Sequence, residues 1–168
     1  MLIFNKRYFL FLSGLVVPLL SLFNPGLLSI NGIGPSWSVL WLLPLAIEEG
    51  PVTGMFAGLC LGMVVDSIYL DGVTQVPSLI LLGFWWGGLD RKLELKARIF
   101  NLGLLAWLGT FFIGLTIWIQ KIFFVKDSMA FFFHNWFFYT LLAKATVTGM
   151  LAPLICYLIL IRCFRSKV

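Results

Sequence analysis

The chain reads as an all-α bundle of transmembrane helices, about six of them, with both termini on the cytoplasmic side. Three observations predict this. Of 168 residues, 61% are hydrophobic and 11% are charged, whereas roughly a quarter of a soluble domain is charged. Apolar runs recur along the whole sequence, several of them near the ~20 residues that carry a helix across hydrocarbon. Basic residues cluster at alternate breaks between those runs, the asymmetry that sets orientation in a bilayer. Too few polar residues remain to cover a soluble domain, so residues 1–168 read as one integral-membrane domain.

The first expected span is 8–23, between Lys6-Arg7 and Asn24-Pro25-Gly26. Its basic start suits a signal peptide, but it runs into SLFNPG without a small-x-small cleavage site, so it reads as a retained helix. The Gly-, Pro- and Asn-rich stretch NPGLLSINGIGPS leads to the second span, 36–49. That span is short for a bilayer and contains Pro44, which implies tilting, bending or borrowing from the preceding segment. The third, 51–70, is glycine-rich, and the turn DGVTQ joins it to the fourth, 76–89. The charge-dense run DRKLELKARIF then precedes the fifth, 101–120. Segment 128–137, SMAFFFHNWF, is aromatic enough for the headgroup boundary. The sixth span is 138–161, followed by RCFRSKV. With six spans, Lys6, Arg7, Arg91, Lys92, Lys96, Arg98, Arg162, Arg165 and Lys167 all fall inside, and only Lys121 and Lys126 outside.

Within the third span, Gly50, Gly54, Gly58 and Gly62 recur every fourth residue, and the next step reaches Asp66. Successive members of such a row turn by about 400°, so they drift roughly 40° per step and make a slanted furrow without side chains. Apolar side chains gain little by leaving lipid for protein, and small residues let helix backbones approach. The furrow therefore predicts that the third span is central and tightly crossed, either by a helix of this chain or by a partner. Ala145, Gly149 and Ala152 offer complementary small residues in the sixth span. No ridge of equal strength recurs there, which speaks against an inverted-repeat transporter.

A carboxylate within an apolar span is costly and faces the bundle interior. Asp66 and Lys144 fall at similar depth in the outer half, so the sequence predicts that they pair. The segment holding Arg91, Lys92, Lys96 and Arg98 reads as a short interfacial piece drawn to anionic headgroups, within reach of Glu48 and Glu49. The net charge of +5 then reflects orientation rather than a nucleic-acid partner. Cys60, Cys156 and Cys163 sit in or beside apolar runs as small fillers, and His134 has no second histidine with which to hold a metal. No Ser–His–Asp set, P-loop or dinucleotide fingerprint is present. The residues point to neither an enzyme nor a cofactor.

The run GPSWSVLWLLPLAIEEGPVTGMFAGLCLGMVVD resembles the MreD family of bacterial rod-shape-determining proteins. The features that carry the resemblance are Pro35 and Trp37 at the start of the second span, the four glycines, and Asp66. After the aspartate the family continues with small residues and a Leu-Gly; this chain has SIYLDGVTQ. The resemblance implies a non-enzymatic, cofactor-free component of the cell-elongation machinery, multi-pass in the bacterial inner membrane. It implies binding to an MreC-like transmembrane helix, linking the MreB filament to peptidoglycan synthesis by RodA and a class B penicillin-binding protein. The MreD fold also resembles the substrate-binding subunits of energy-coupling-factor transporters. The alternative expectation is therefore a small-molecule transporter subunit, with a polar outer pocket drawn from Asp66, Asp71, Gln75, tryptophans and Lys144.

Overall fold

A computed structural model describes residue 17 and residues 34–68, 73–89, 95–124 and 135–164. Five helices occupy the four longer stretches: α1 (Trp37–Glu49), α2 (Pro51–Ile68), α3 (Val76–Gly87), α4 (Leu95–Phe124) and α5 (Asn135–Phe164). Three contain segments long and apolar enough to cross a membrane, namely Pro51–Ile68, Asn101–Lys121 and Phe137–Cys156, while Val76–Gly87 is apolar but shorter. The expected span 8–23, Arg91, Lys92 and His134 lie outside the described residues, apart from Val17, which is helical and buried.

The centre of the bundle is α1, and not the third span as the glycine furrow had implied. Val39, Leu40, Leu42, Leu43, Pro44, Leu45, Ala46 and Ile47 are all buried, and α1 touches each of the other four helices. A helix that is apolar all round belongs inside. Its 13 residues reach only about 20 Å, less than α2, α4 and α5. In contrast, α2 buries one stripe, Gly54, Ala57, Gly58, Leu61, Gly62 and Val65, and exposes Val52, Phe56 and Met63 on its other side.

Gly50 is the joint between α1 and α2 rather than a member of the helical ridge. Its φ of 99° and ψ of 178° lie in a region open essentially to glycine alone. Its N–H donates to the Ala46 carbonyl at 3.0 Å, closing α1. Pro51 then opens α2, where a missing N–H is harmless.

Three boundaries differ from the sequence reading. Lys96 and Arg98 belong to the first turns of α4, not to a separate segment, because the backbone is already helical at Leu95. Leu, Lys, Ala and Arg are good helix formers, and charge ends the apolar stretch without ending the helix. Likewise α5 begins at Asn135, so the last residues of the expected interfacial segment 128–137 form its first turn. The expected fourth span, 76–89, ends at Gly87, where the Gly88 N–H turns back to the Phe84 and Trp85 carbonyls.

Candidate packing site and polar cleft

The furrow of α2 is filled from within the chain, by α3. Gly54 and Gly83 face each other so closely that a Cβ on either would strike the carbonyl oxygen of the other. One turn on, a Cβ at Gly58 would strike the Leu79 carbonyl, and one at Gly62 would lie 2.8 Å from Val76 Cα. At the far end Gly87 meets Pro51, where a Cβ would lie 2.5 Å from the proline nitrogen. Each step along α2 is matched by a step back along α3, so the two backbones touch over the whole pairing. Gly54 also faces α1, where its missing Cβ would lie 2.9 Å from Ala46 Cβ. The matching pair Gly83 and Gly87, four residues apart in α3, was the signal available in the sequence. The small residues of the sixth span have a different partner. Ala145 and Ala152 are fully buried, and a Cβ at Gly103 of α4 would lie 3.0 Å from the Gly149 carbonyl.

Asp66 closes the α2–α3 turn and does not pair with Lys144. Its Oδ1 and Oδ2 accept the Gln75 backbone N–H at 2.9 and 3.1 Å. Gln75 is the residue at which α3 starts, so the carboxylate also meets the positive end of that helix. From the other side, Gln120 of α4 holds the same turn. Its amide donates to the Thr74 carbonyl, and its oxygen accepts the Thr74 N–H, both at 2.9 Å. Lys144 stands on α5, which packs on α4 and α1. The carboxylate is instead met by a backbone donor nine residues on in the same hairpin. Removing the acceptors with Asp66→Ala should cost about 1 kcal/mol and lower the thermal midpoint in detergent by a few degrees. Lys144→Ala should leave that midpoint unchanged. A matching drop in the lysine variant would restore the charge pair.

Two of the residues that carry the resemblance sit at the start of α1, apart from Asp66 on α2: Pro35 is buried, and Trp37 packs against the core. Beside them lies a partly open cleft of about 180 Å³ between α1, α4 and α5. Its polar walls are Ser36, Thr110, Thr140 and Lys144, and Ile113, Ile117 and Leu141 supply apolar ones. The Ser36 N–H donates to Thr148 Oγ1 at 3.0 Å, and that hydroxyl donates to the Lys144 carbonyl at 2.6 Å. Thr148 lies about 17 Å along α5 from Phe137, where the apolar segment Phe137–Cys156 begins. The non-helical backbone of residues 34–36 therefore enters the bundle at mid-length, an arrangement tolerated in membranes where such backbone is buried or lines a cavity. Lys144 is exposed at the cleft, and no hydrogen bond or ion pair reaches its ammonium among the described residues. A lysine well inside an apolar helix costs up to about 3 kcal/mol on insertion scales. Thr110 and Thr140 sign the cleft only weakly in sequence, since hydroxyls in apolar helices commonly bond their own backbone, as these do.

Among the described residues no group of three or more His, Cys, Asp or Glu side chains could hold a metal. The chain matches no family model, no curated protein and no solved structure.

Proposed function

We propose that the chain is a non-enzymatic membrane scaffold of the MreD type, which packs against partner transmembrane helices in the cell-elongation machinery of a bacterial inner membrane. The observation that supports this most is the interlocked α1–α2–α3 unit. Its small residues are spent on internal contact, so Val52, Phe56, Met63 and Val64 of α2 face outward from a rigid backing. Met150, Leu154 and Leu158 give α5 a second outward apolar face. Such faces suit lipid or a neighbouring helix rather than a reaction. The partners implied are an MreC-like helix and, through it, MreB, RodA and a class B penicillin-binding protein, with six spans and both termini cytoplasmic.

The cleft is what favours the transporter reading, and its size weighs against it. At about 180 Å³ it falls below the ~300 Å³ at which small-molecule pockets begin. Depletion in a rod-shaped host is expected to round the cells, with an MreC-like protein recovered alongside the tagged chain. Unaltered cell shape, together with co-purification of an ATPase pair and a small molecule, would replace the scaffold with the transporter subunit.

A further inference from the structure

Lys144 brings a basic group to the cleft, and no acidic side chain among the described residues pairs with it. The neighbouring hydroxyls leave that role to the lysine. Thr110 Oγ1 donates to the Ala106 carbonyl at 2.7 Å and Thr140 Oγ1 to the Phe137 carbonyl at 2.8 Å, so neither hydroxyl proton is free to meet an anion. Ser36, at the same cleft, starts α1 without a side-chain cap, which adds the positive end of that helix to the field. Lys144 lies about 10 Å along α5 from Phe137, inside the apolar segment, within reach of lipid head groups for a side chain that can extend toward the interface. Ile113, Ile117 and Leu141 supply an apolar wall next to the charge. A cation, an uncapped helix start and an apolar wall on one partly open cleft match a molecule with an acidic head and an apolar body.

We propose that this cleft binds the acidic headgroup of a membrane lipid, with Lys144 as its counter-ion and Ile113, Ile117 and Leu141 against its apolar part. The site is independent of the scaffold reading and stands or falls separately. The cleft is partly open, so it needs to enclose only the acidic part of such a molecule while the rest stays in the bilayer.

The test is native mass spectrometry of the full chain in detergent, titrated with phosphatidylglycerol or phosphatidylethanolamine. The wild-type protein should retain phosphatidylglycerol at least tenfold more strongly. Lys144→Gln should remove that preference, Lys144→Arg should keep it, and Lys121→Gln, at the end of α4, should leave it intact. Thermal midpoints of all three variants report folding. The wild-type preference needs no variant, so it alone can overturn the proposal: equal retention of the two lipids does so. Preference that survives Lys144→Gln also overturns it. Displacement of the lipid by inorganic phosphate or glycerol phosphate at matched concentration would make the site one for small anions. If Lys144→Gln instead releases a co-purifying protein while lipid retention is unchanged, the counter-ion is a protein carboxylate and the lipid proposal fails.

Discussion

Gly58→Leu is expected to abolish most of the folded protein, whereas Cys60→Leu, two residues away on the same helix, is expected to do nothing measurable. The two positions differ in what they face. Cys60 is exposed, and Gly58 is pressed on the Leu79 carbonyl of α3. The obstacle is backbone, which cannot rotate aside as a side chain can, so α2 and α3 must separate. Taking glycine out of a helix interior favours the variant by roughly 0.8–1 kcal/mol through propensity alone. The steric term acts the other way. Overpacking by methylenes costs about 1–3 kcal/mol where neighbours can shift, and four added heavy atoms against a carbonyl should exceed that range. Typical stabilities are about 5–15 kcal/mol, so the loss is a large share of the total. Gly54→Ala and Gly83→Ala supply a graded version, because each added methyl meets the opposite glycine. Once one has pushed the helices apart the second costs less, so the double variant should fall short of additivity by at least ~0.5 kcal/mol. Thermal midpoints from size-exclusion profiles in detergent read all of these. An unchanged midpoint for Gly58→Leu would mean the furrow is not what holds α2 to α3.

The parts of this fold that were legible in the sequence are those that a single helix signals alone. Pro51 and the glycines through Gly62 located α2 to within two residues at its end, because a proline start and an apolar run are local features. What fills the furrow is a relation between helices, and Gly83 and Gly87 carry it from inside a run dominated by Phe84, Trp85 and Trp86. The central place of α1 was hidden for a reason peculiar to membranes. Lipid-facing and protein-facing surfaces are both apolar, so Leu40 at the core and Leu81 on the outside look alike in sequence. The proposed Asp66–Lys144 pair came from matching depth alone. Depth says nothing about lateral neighbours, and Gln75 lies beside the carboxylate in the same hairpin. The cleft was half visible: Lys144 stood out as a charge in an apolar run, while its companions Thr110 and Thr140 resemble ordinary self-bonding helix hydroxyls.

Trp86→Ala is expected to cost about 3–5 kcal/mol, with the loss residing in contacts between α3 and α4. Trp86 is fully buried, and its indole ring lies directly over Gly109, where a Cβ would run into the ring. This is a knob in a hole: the largest side chain of the core occupies the space that the absence of one at Gly109 provides. Lipid competes for apolar surface as readily as protein does, so the stabilisation comes from dispersion contacts that a cavity would forfeit. Gly109→Val should be destabilising as well, by overpacking against the same ring. Combining it with Trp86→Leu, which shrinks the knob as the hole fills, should recover part of the loss. Trp86→Phe separates shape from hydrogen bonding. The indole Nε1 is buried and finds no acceptor among the described residues, and an unsatisfied buried donor costs about 1–3 kcal/mol. Phenylalanine gives up part of the ring but removes that penalty, so its midpoint should stay close to wild type while the alanine variant falls well below. If the phenylalanine variant drops as far as alanine, the indole N–H makes a hydrogen bond to a group outside the described residues. The contact with Gly109 would then be less than the whole reason for a tryptophan there.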